Sequence, residues 1–275
     1  MDVISTALEL RRRLSREAAI AFVPTMGNLH EGHLDLVRLA RERGSCVVVS
    51  IFVNPLQFGP SEDFDKYPRT LPADCEKLQG LADIVFAPSV GALYPEKQTV
   101  FVEPPPIASE LCGAFRPGHF RGMATVVLKL FNLVQPHCAI FGKKDYQQLN
   151  IVRQMVAQFN LPIAIVGADT ARAADGLALS SRNQYLSAEE RKAAPKLYST
   201  LQEMAARLYA GEKNMEQIQQ QAVQSLAAQG WEPEYVAVRT QATLAIPAAG
   251  EQKLVILAAA RLGQTRLIDN LEVCL

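Results

Sequence analysis

Two histidines stand three residues apart in the stretch PTMGNLHEGHLDLVR, residues 24–38. On a helix that spacing puts His30 and His33 on one face, where both can aim at the same ligand. The first turn of a helix leaves backbone N–H groups unpaired, and its dipole favours an anion. Gly32 removes a side chain at that turn, so a flat ring can approach the backbone. The combination suits a triphosphate with its base beside the glycine. The plainer alternative is one capping and one buried histidine. A metal pair fits less well, because two helical ligands favour i, i+4 spacing and no third ligand is evident.

Three further clusters can do chemistry. Gln57, in SIFVNPLQF, and Gln148, in FGKKDYQQL, are neutral amides that offer two donors and one acceptor each. They can hold a small hydroxy acid without neutralising its carboxylate; otherwise they are surface amides. In Gly142-Lys143-Lys144-Asp145 the glycine lets the chain pass close to a ligand. Lys144 can reach phosphates, and Asp145 can accept from ribose hydroxyls or a helix N-terminus. Standing alone, that tetrapeptide would be an exposed turn. Leu179-Ser180-Ser181-Arg182 offers two hydroxyls and a guanidinium to phosphate, or else a polar linker with a capping serine.

These residues need a frame. AIAFV before the first cluster reads as a short buried strand, and LDLVRLARER after it has the apolar spacing of a helix. The histidines therefore sit where a strand turns into a helix, at the sheet edge that binds ligands in open α/β folds. CVVVSIFV (46–53) is a strand covered on both faces. The proline-rich stretch 54–70 is a loop, and a short helix follows near 71–80. ADIVFAP, CAIFG (138–142) and LPIAIVGA are further strands, with helices at 123–134 and 146–159. The N-terminal MDVISTALELRRRLSRE reads as an amphipathic helix. This alternation predicts an α/β fold with a Rossmann-like, doubly wound parallel sheet. After DGLALSSRN (175–183) the texture changes to helices near 187–210 and 214–229 and short strands at YVAVR, KLVIL and TRLIDN. Two domains are expected: 1–175, Rossmann-like, and 176–275, a smaller α+β module.

Bulk properties narrow the function. Twenty-eight basic residues balance 28 acidic ones, which argues against a dedicated binder of nucleic acid or anionic membrane. The N-terminus lacks the order of a signal peptide, and Leu254–Ala260 falls far short of the ~20 apolar residues that span a bilayer. The five cysteines form no C-x-x-C pair. Cys46 and Cys138 lie in strand-like runs as core residues, which suits a reduced cytoplasmic setting and neither a zinc site nor a thiol nucleophile.

PTMGNLHEGH resembles the signature of the pantothenate synthetase (pantoate–β-alanine ligase) family, within the HIGH-motif nucleotidyltransferase and class I aminoacyl-tRNA synthetase superfamily. SIFVNPLQF, YPRT (67–70), RPGHFRG (116–122), FGKKDYQQL and DGLALSSRN resemble that family's other blocks in the same order, across essentially the whole chain. The resemblance implies ATP-dependent condensation of pantoate with β-alanine through a pantoyl adenylate, with Mg²⁺ and as a homodimer. It assigns ATP to Met26, Gly27, Asn28, Leu29, His30, Glu31, Gly32 and His33, to Gly142, Lys143, Lys144 and Asp145, and to Ala171, Leu179, Ser180, Ser181 and Arg182. It assigns pantoate and β-alanine to Gln57 and Gln148, with Arg116 and His119 as further pocket residues. His33, His30, Lys144 and Arg182 are the expected catalytic donors. Relatives commonly carry valine at Ala171, which matters little if the contact is a backbone carbonyl. No Mg²⁺ ligand stands out among the carboxylates of 62–76. The rivals are a nucleotidyltransferase acting on a phosphorylated acceptor and a silent nucleotide-binding scaffold. Against the first stand SSRN and the glutamine pair; against the second, the complete donor set.

Overall fold

The structure, a computed structural model, describes residues 1–60, 62 and 64–275. It divides into two compact units, Met1–Gly142 with Ile151–Asp169, and Lys143–Asn150 with Thr170–Leu275. Ser61 and Asp63, in the stretch expected to be a loop, lie outside the described residues.

In the first unit the strands are β1 (Asp2–Ile4), β2 (Ile20–Thr25), β3 (Cys46–Ile51), β4 (Ile84–Phe86), β5 (Cys138–Gly142) and β6 (Ala164–Ala168). All pair in parallel, in the order β1-β4-β3-β2-β5-β6. The helices are α1 (Ala7–Leu14), α2 (Glu31–Arg41), α3 (Leu71–Leu78), α4 (Val90–Leu93), α5 (Cys112–Phe115), α6 (His119–Val134) and α7 (Tyr146–Gln158), the last beginning within the second unit's segment. The N-terminal stretch expected to be one helix opens instead as strand β1, whose Val3 and Ile4 pair with β4. Thr6 then caps α1 by accepting from the Glu9 N–H.

Valine and isoleucine fill β3, as a strand buried on both faces requires. In α2 the buried Leu36, Val37 and Ala40 line one face, with Glu31 in the first turn and Arg38 and Arg41 in the last, complementing the helix dipole.

The order of strands reverses direction at β2, which runs to β3 on one side and to β5 on the other. Ligands bind outside the carboxyl ends of strands at such a switch point. Here β2 pairs with β5 only at Ala21 and Phe22, whereas its pairing with β3 continues through Pro24 and Thr25. The Ile20 carbonyl accepts from His137 N on the β5 side, and the Thr25 carbonyl accepts from Phe52 N on the β3 side. Alternation therefore turns Pro24 toward β5, where proline has no N–H to give.

The second unit holds α8 (Ala188–Ala193), α9 (Lys196–Tyr209) and α10 (Met215–Ala227), and an antiparallel sheet of β7 (Trp231–Thr240), β8 (Lys253–Leu262) and β9 (Thr265–Cys274). The expected helix at 187–210 is two helices, broken at Pro195, which cannot donate to the preceding turn. Its three strands, expected to be short, run ten residues each. Leu201, Ile218, Leu226, Leu254 and Ile256 belong to its core.

Candidate active site

In the first unit the turn from β2 into α2 is built on two left-handed residues, Gly27 (φ 83°) and Asn28 (φ 50°). A Cβ at Gly27 would meet Ile51 Cγ2 at 2.9 Å and Asp74 Oδ2 at 3.1 Å, so glycine satisfies both the φ and the close approach. Asp74, fully buried on α3, clamps the turn. Its carboxylate accepts from Asn28 N at 2.9 Å, Leu29 N at 2.8 Å and the Thr70 hydroxyl at 3.0 Å. Lys77, one helical turn on, donates to the Leu29 carbonyl at 2.6 Å. With the Asn28 and Leu29 amides taken, the donors of this turn are those of Glu31 and Gly32, which no intrahelical carbonyl can reach.

His30 is the N-cap of α2 and His33 its third residue, with ring centroids 4.0 Å apart. The His30 N–H donates to His33 Nδ1 at 3.3 Å. An accepting Nδ1 puts the proton of the neutral ring on Nε2. His33 is thereby held as an Nε2–H donor. Glu31 is exposed and accepts from Arg38 at 3.1 Å.

Gln57 is buried at the end of a 3₁₀ turn, Pro55–Gln57. Its Oε1 accepts from Asn54 Nδ2 at 3.1 Å, and its Nε2 donates to Met26 Sδ at 3.1 Å. Asn54 is fully employed. Its Oδ1 accepts from the Tyr94 hydroxyl at 2.9 Å and Leu56 N at 3.3 Å, and its Nδ2 also donates to the Gly122 carbonyl at 3.2 Å. The Gln57 amide is thus oriented, with its acceptor turned to Asn54 and its Nε2 to Met26. Gly122 is required by proximity, since a Cβ there would collide with the Leu56 carbonyl and lie 2.7 Å from Gln57 N.

Arg116 and His119 join this network. Arg116 donates to both Glu62 carboxylate oxygens, at 2.6 and 2.8 Å, and its Nη1 stands 3.1 Å from His119 Nε2. A guanidinium can only donate, so His119 Nε2 accepts and its Nδ1–H donates to the Gln57 carbonyl at 2.8 Å. Burial pushes the Glu62 carboxyl up, but the Arg116 hydrogen bonds and charge outweigh it and hold the group below the ordinary range. Burial pushes the Cys46 thiol up to about 11, which suits a core residue rather than a nucleophile.

In the second unit Lys143–Asp145 form a 3₁₀ turn ahead of α7. Lys143 Nζ and the Tyr146 hydroxyl each donate to Glu272 at 2.8 Å. Lys144 Nζ stands 3.8 Å from the exposed Asp145 carboxylate, too far for a hydrogen bond. Gln148 is half-buried in the first turn of α7. Residues 171–179 form a hairpin: Leu179 N donates to the Ala171 carbonyl and Ala173 N to the Leu177 carbonyl, both at 2.9 Å. The Ser180 hydroxyl then caps the turn Ser181–Tyr185 by accepting from Arg182 N at 3.3 Å.

The first unit thus gathers His30 and His33 at one helix mouth and Gln57, Arg116 and His119 in one network. The second holds Lys143, Lys144, Asp145, Gln148 and the 171–182 segment. Sequence reasoning missed Asn54, Glu62, Asp74, Lys77 and Tyr94. Asn54 stood inside a quoted block; the others lie 40–54 positions from the residues they hold, where one sequence carries no spacing signal. Among the described residues no three His, Cys, Asp or Glu side chains gather as a metal cluster, and Asp74 and Glu62 are committed as described above.

A family model described as pantoate-beta-alanine ligase matches residues 2–272. The chain is 60% identical over 275 residues to the pantothenate synthetase of Chromobacterium violaceum, covering 99% of each. It superimposes on the pantothenate synthetase of Thermus thermophilus with a TM-score of 0.95, at 46% identity over 100% of both chains. The pantoate-beta-alanine ligase of Francisella tularensis, solved with beta-gamma ATP and beta-alanine, matches at a TM-score of 0.78 and 33% identity, covering 98% of this chain and 97% of its own.

Proposed function

The chain belongs to the pantoate-beta-alanine ligase family, an enzyme family joining pantoate to β-alanine with ATP, and from that premise we propose how its residues divide the work. Pantoate's carboxylate attacks the α-phosphorus of ATP, giving pantoyl adenylate and pyrophosphate. The β-alanine amine then attacks the acyl carbon and releases AMP. The first nucleophile is already an anion, so the protein need supply no base. Its task is positioning and stabilising charge on the phosphates.

His33 and His30 offer that stabilisation at the mouth of α2, with the Glu31 and Gly32 amides beside them. The observation that carries this reading is the His30 N–H to His33 Nδ1 bond, which holds His33 as an Nε2 donor. Lys144, Ser180, Ser181 and Arg182 are assigned to the phosphates, and Gly142, Asp145, Ala171 and Leu179 to the rest of the nucleotide. Gln57 and Gln148 hold pantoate. Arg116 and His119 act on Gln57's backbone rather than on substrate, given their engagement with Glu62 and the Gln57 carbonyl. Residues 1–175 bind pantoate and most of the nucleotide, and 176–275 add Leu179–Arg182 on ATP and shield the mixed anhydride from water.

Among the described residues no cluster of His, Cys, Asp or Glu forms a cage for Mg²⁺. Such an ion binds through ATP phosphates and water, and no step here is routed through it. A homodimer follows from the family resemblance. A cytoplasmic setting is supported by Cys46 and Cys138, thiols buried in the core strands β3 and β5. Among the described residues no helix is long and apolar enough to cross a membrane.

The test is pantoate-dependent exchange of pyrophosphate into ATP. Losing one charge-stabilising donor costs roughly 10²–10³-fold, so His33→Ala should lower exchange by that factor while thermal unfolding stays close to wild type. Near-normal exchange would take His33 out of the mechanism.

A further inference from the structure

Strand β9 carries Asp269, Asn270 and Glu272, polar residues outside every assignment above. Asp269 and Asn270 are buried, 4% and 6% exposed. A buried amide and carboxylate destabilise a fold unless paired, and each is paired onto one of the two segments assigned to ATP in this unit. Asn270 Nδ2 donates to the Lys143 carbonyl at 2.8 Å and the Lys144 carbonyl at 3.0 Å. Asp269 takes both Nη groups of Arg172, at 2.7 and 2.8 Å, and its Oδ1 also accepts from Asn270 N at 2.7 Å. Arg172 is itself locked. It donates to the Gly176 carbonyl at 3.1 Å and the Asn270 carbonyl at 3.2 Å, and its guanidinium carbon lies 3.4 Å from the Tyr198 ring centroid. It also bridges to Ala178 across the hairpin that leads into Ser180–Arg182.

We propose that Asn270 and Asp269 are positioning residues for ATP: Asn270 sets the backbone from which Lys144 extends, and Asp269, through Arg172, sets the hairpin that presents Ser180, Ser181 and Arg182. Two consecutive residues of one strand thereby fix the spacing between the lysine donor and the serine–arginine donors. Glu272, two residues on, steadies the first segment through Lys143 and Tyr146. The inference rests on the assignment of Lys144 and Arg182 to ATP.

The experiment is a pair of double-mutant cycles, read by pantoate-dependent pyrophosphate exchange and by calorimetric ATP binding. A misplacement of about 1 Å can cost about 10²-fold in rate, and Asn270→Ala should lose that much exchange while KM for pantoate stays unchanged. In a Lys144→Ala background Asn270→Ala should add nothing, because its effect runs through the lysine. Asp269→Asn should likewise lose most of its effect in an Arg182→Ala background, and the remainder should vanish when Ser180→Ala and Ser181→Ala are added. A purely structural role would weaken pantoate binding too, and would add its full effect in both backgrounds; either result overturns the proposal, as does wild-type exchange by Asn270→Ala. If Lys144→Ala itself exchanges normally, the assignment of Lys144 to ATP fails instead. Should Asn270→Ala not fold, Asn270→Ser carries the same cycle.

Discussion

Asp74→Asn is the sharpest perturbation of the histidine turn, because it removes a charge and a lone-pair face while keeping shape. The carboxylate accepts three hydrogen bonds in a fully buried site. The best an asparagine can do is keep its oxygen where Asn28 N and Thr70 converge and turn its NH₂ toward Leu29 N. One buried backbone donor then faces another donor. An orphaned buried N–H costs about 1–3 kcal/mol, and the two surviving bonds lose their charge assistance, which roughly doubles such a bond. The total is about 2–4 kcal/mol, and for a unit of this size each kcal/mol moves Tm by about 2–4 °C. A fall of roughly 4–16 °C is expected. Leu29 directly precedes His30, so displacement of the turn carries the imidazoles with it, and exchange should fall by about 10²-fold. Differential scanning fluorimetry and pyrophosphate exchange on the same preparations give both readings. A lowered Tm with wild-type exchange would mean that Asp74 buttresses the turn without aiming it. No change in either would refute the clamp.

Three more outcomes follow from the geometry. Gly122→Ala drives a methyl into the Leu56 carbonyl; overpacking of this kind costs about 1–3 kcal/mol, and initial-rate kinetics should show a raised KM for pantoate with KM for ATP little changed. Glu62 has a folded-state pKa below its ordinary value, so its contribution to stability is present above the unfolded pKa, about 4.3, and is lost as pH falls through the folded one. Glu62→Gln should therefore flatten the acid limb of a Tm-versus-pH curve and leave a weaker hold on His119 at neutral pH, read as a raised KM for pantoate. A thiol reagent should label the exposed Cys274 quickly and reach the buried Cys46 and Cys138 only on unfolding, and Cys274→Ser should abolish the fast phase alone.

Much of this was legible in the chain because the signals were local. The apolar runs at 46–53 and 138–142 became β3 and β5, and the histidine spacing fell on the first turn of α2 as its periodicity required. Short-range physics failed where a distant partner decided. Met1–Ile4 had helix-like neighbours, yet β4 offered an unpaired edge and drew residues 2–4 into the sheet. The helix expected over 187–210 was right in composition and wrong in continuity, because Pro195 outweighed its flanks. Asp74, Glu62, Asp269 and Asn270 looked like ordinary polar residues. Their meaning lies in contacts 46–127 positions away in the chain, and a linear reading has no term for those.

Pro24 bears on where strands β2 and β5 part. Parallel strands that start to pair tend to go on pairing, each rung aligning the next. At position 24 the rung on the β5 side has no hydrogen to offer, so zippering halts after Phe22. What parts the sheet is the omission of one proton. Replacing that proline would restore the missing donor and let the β2–β5 ladder run on beyond Phe22.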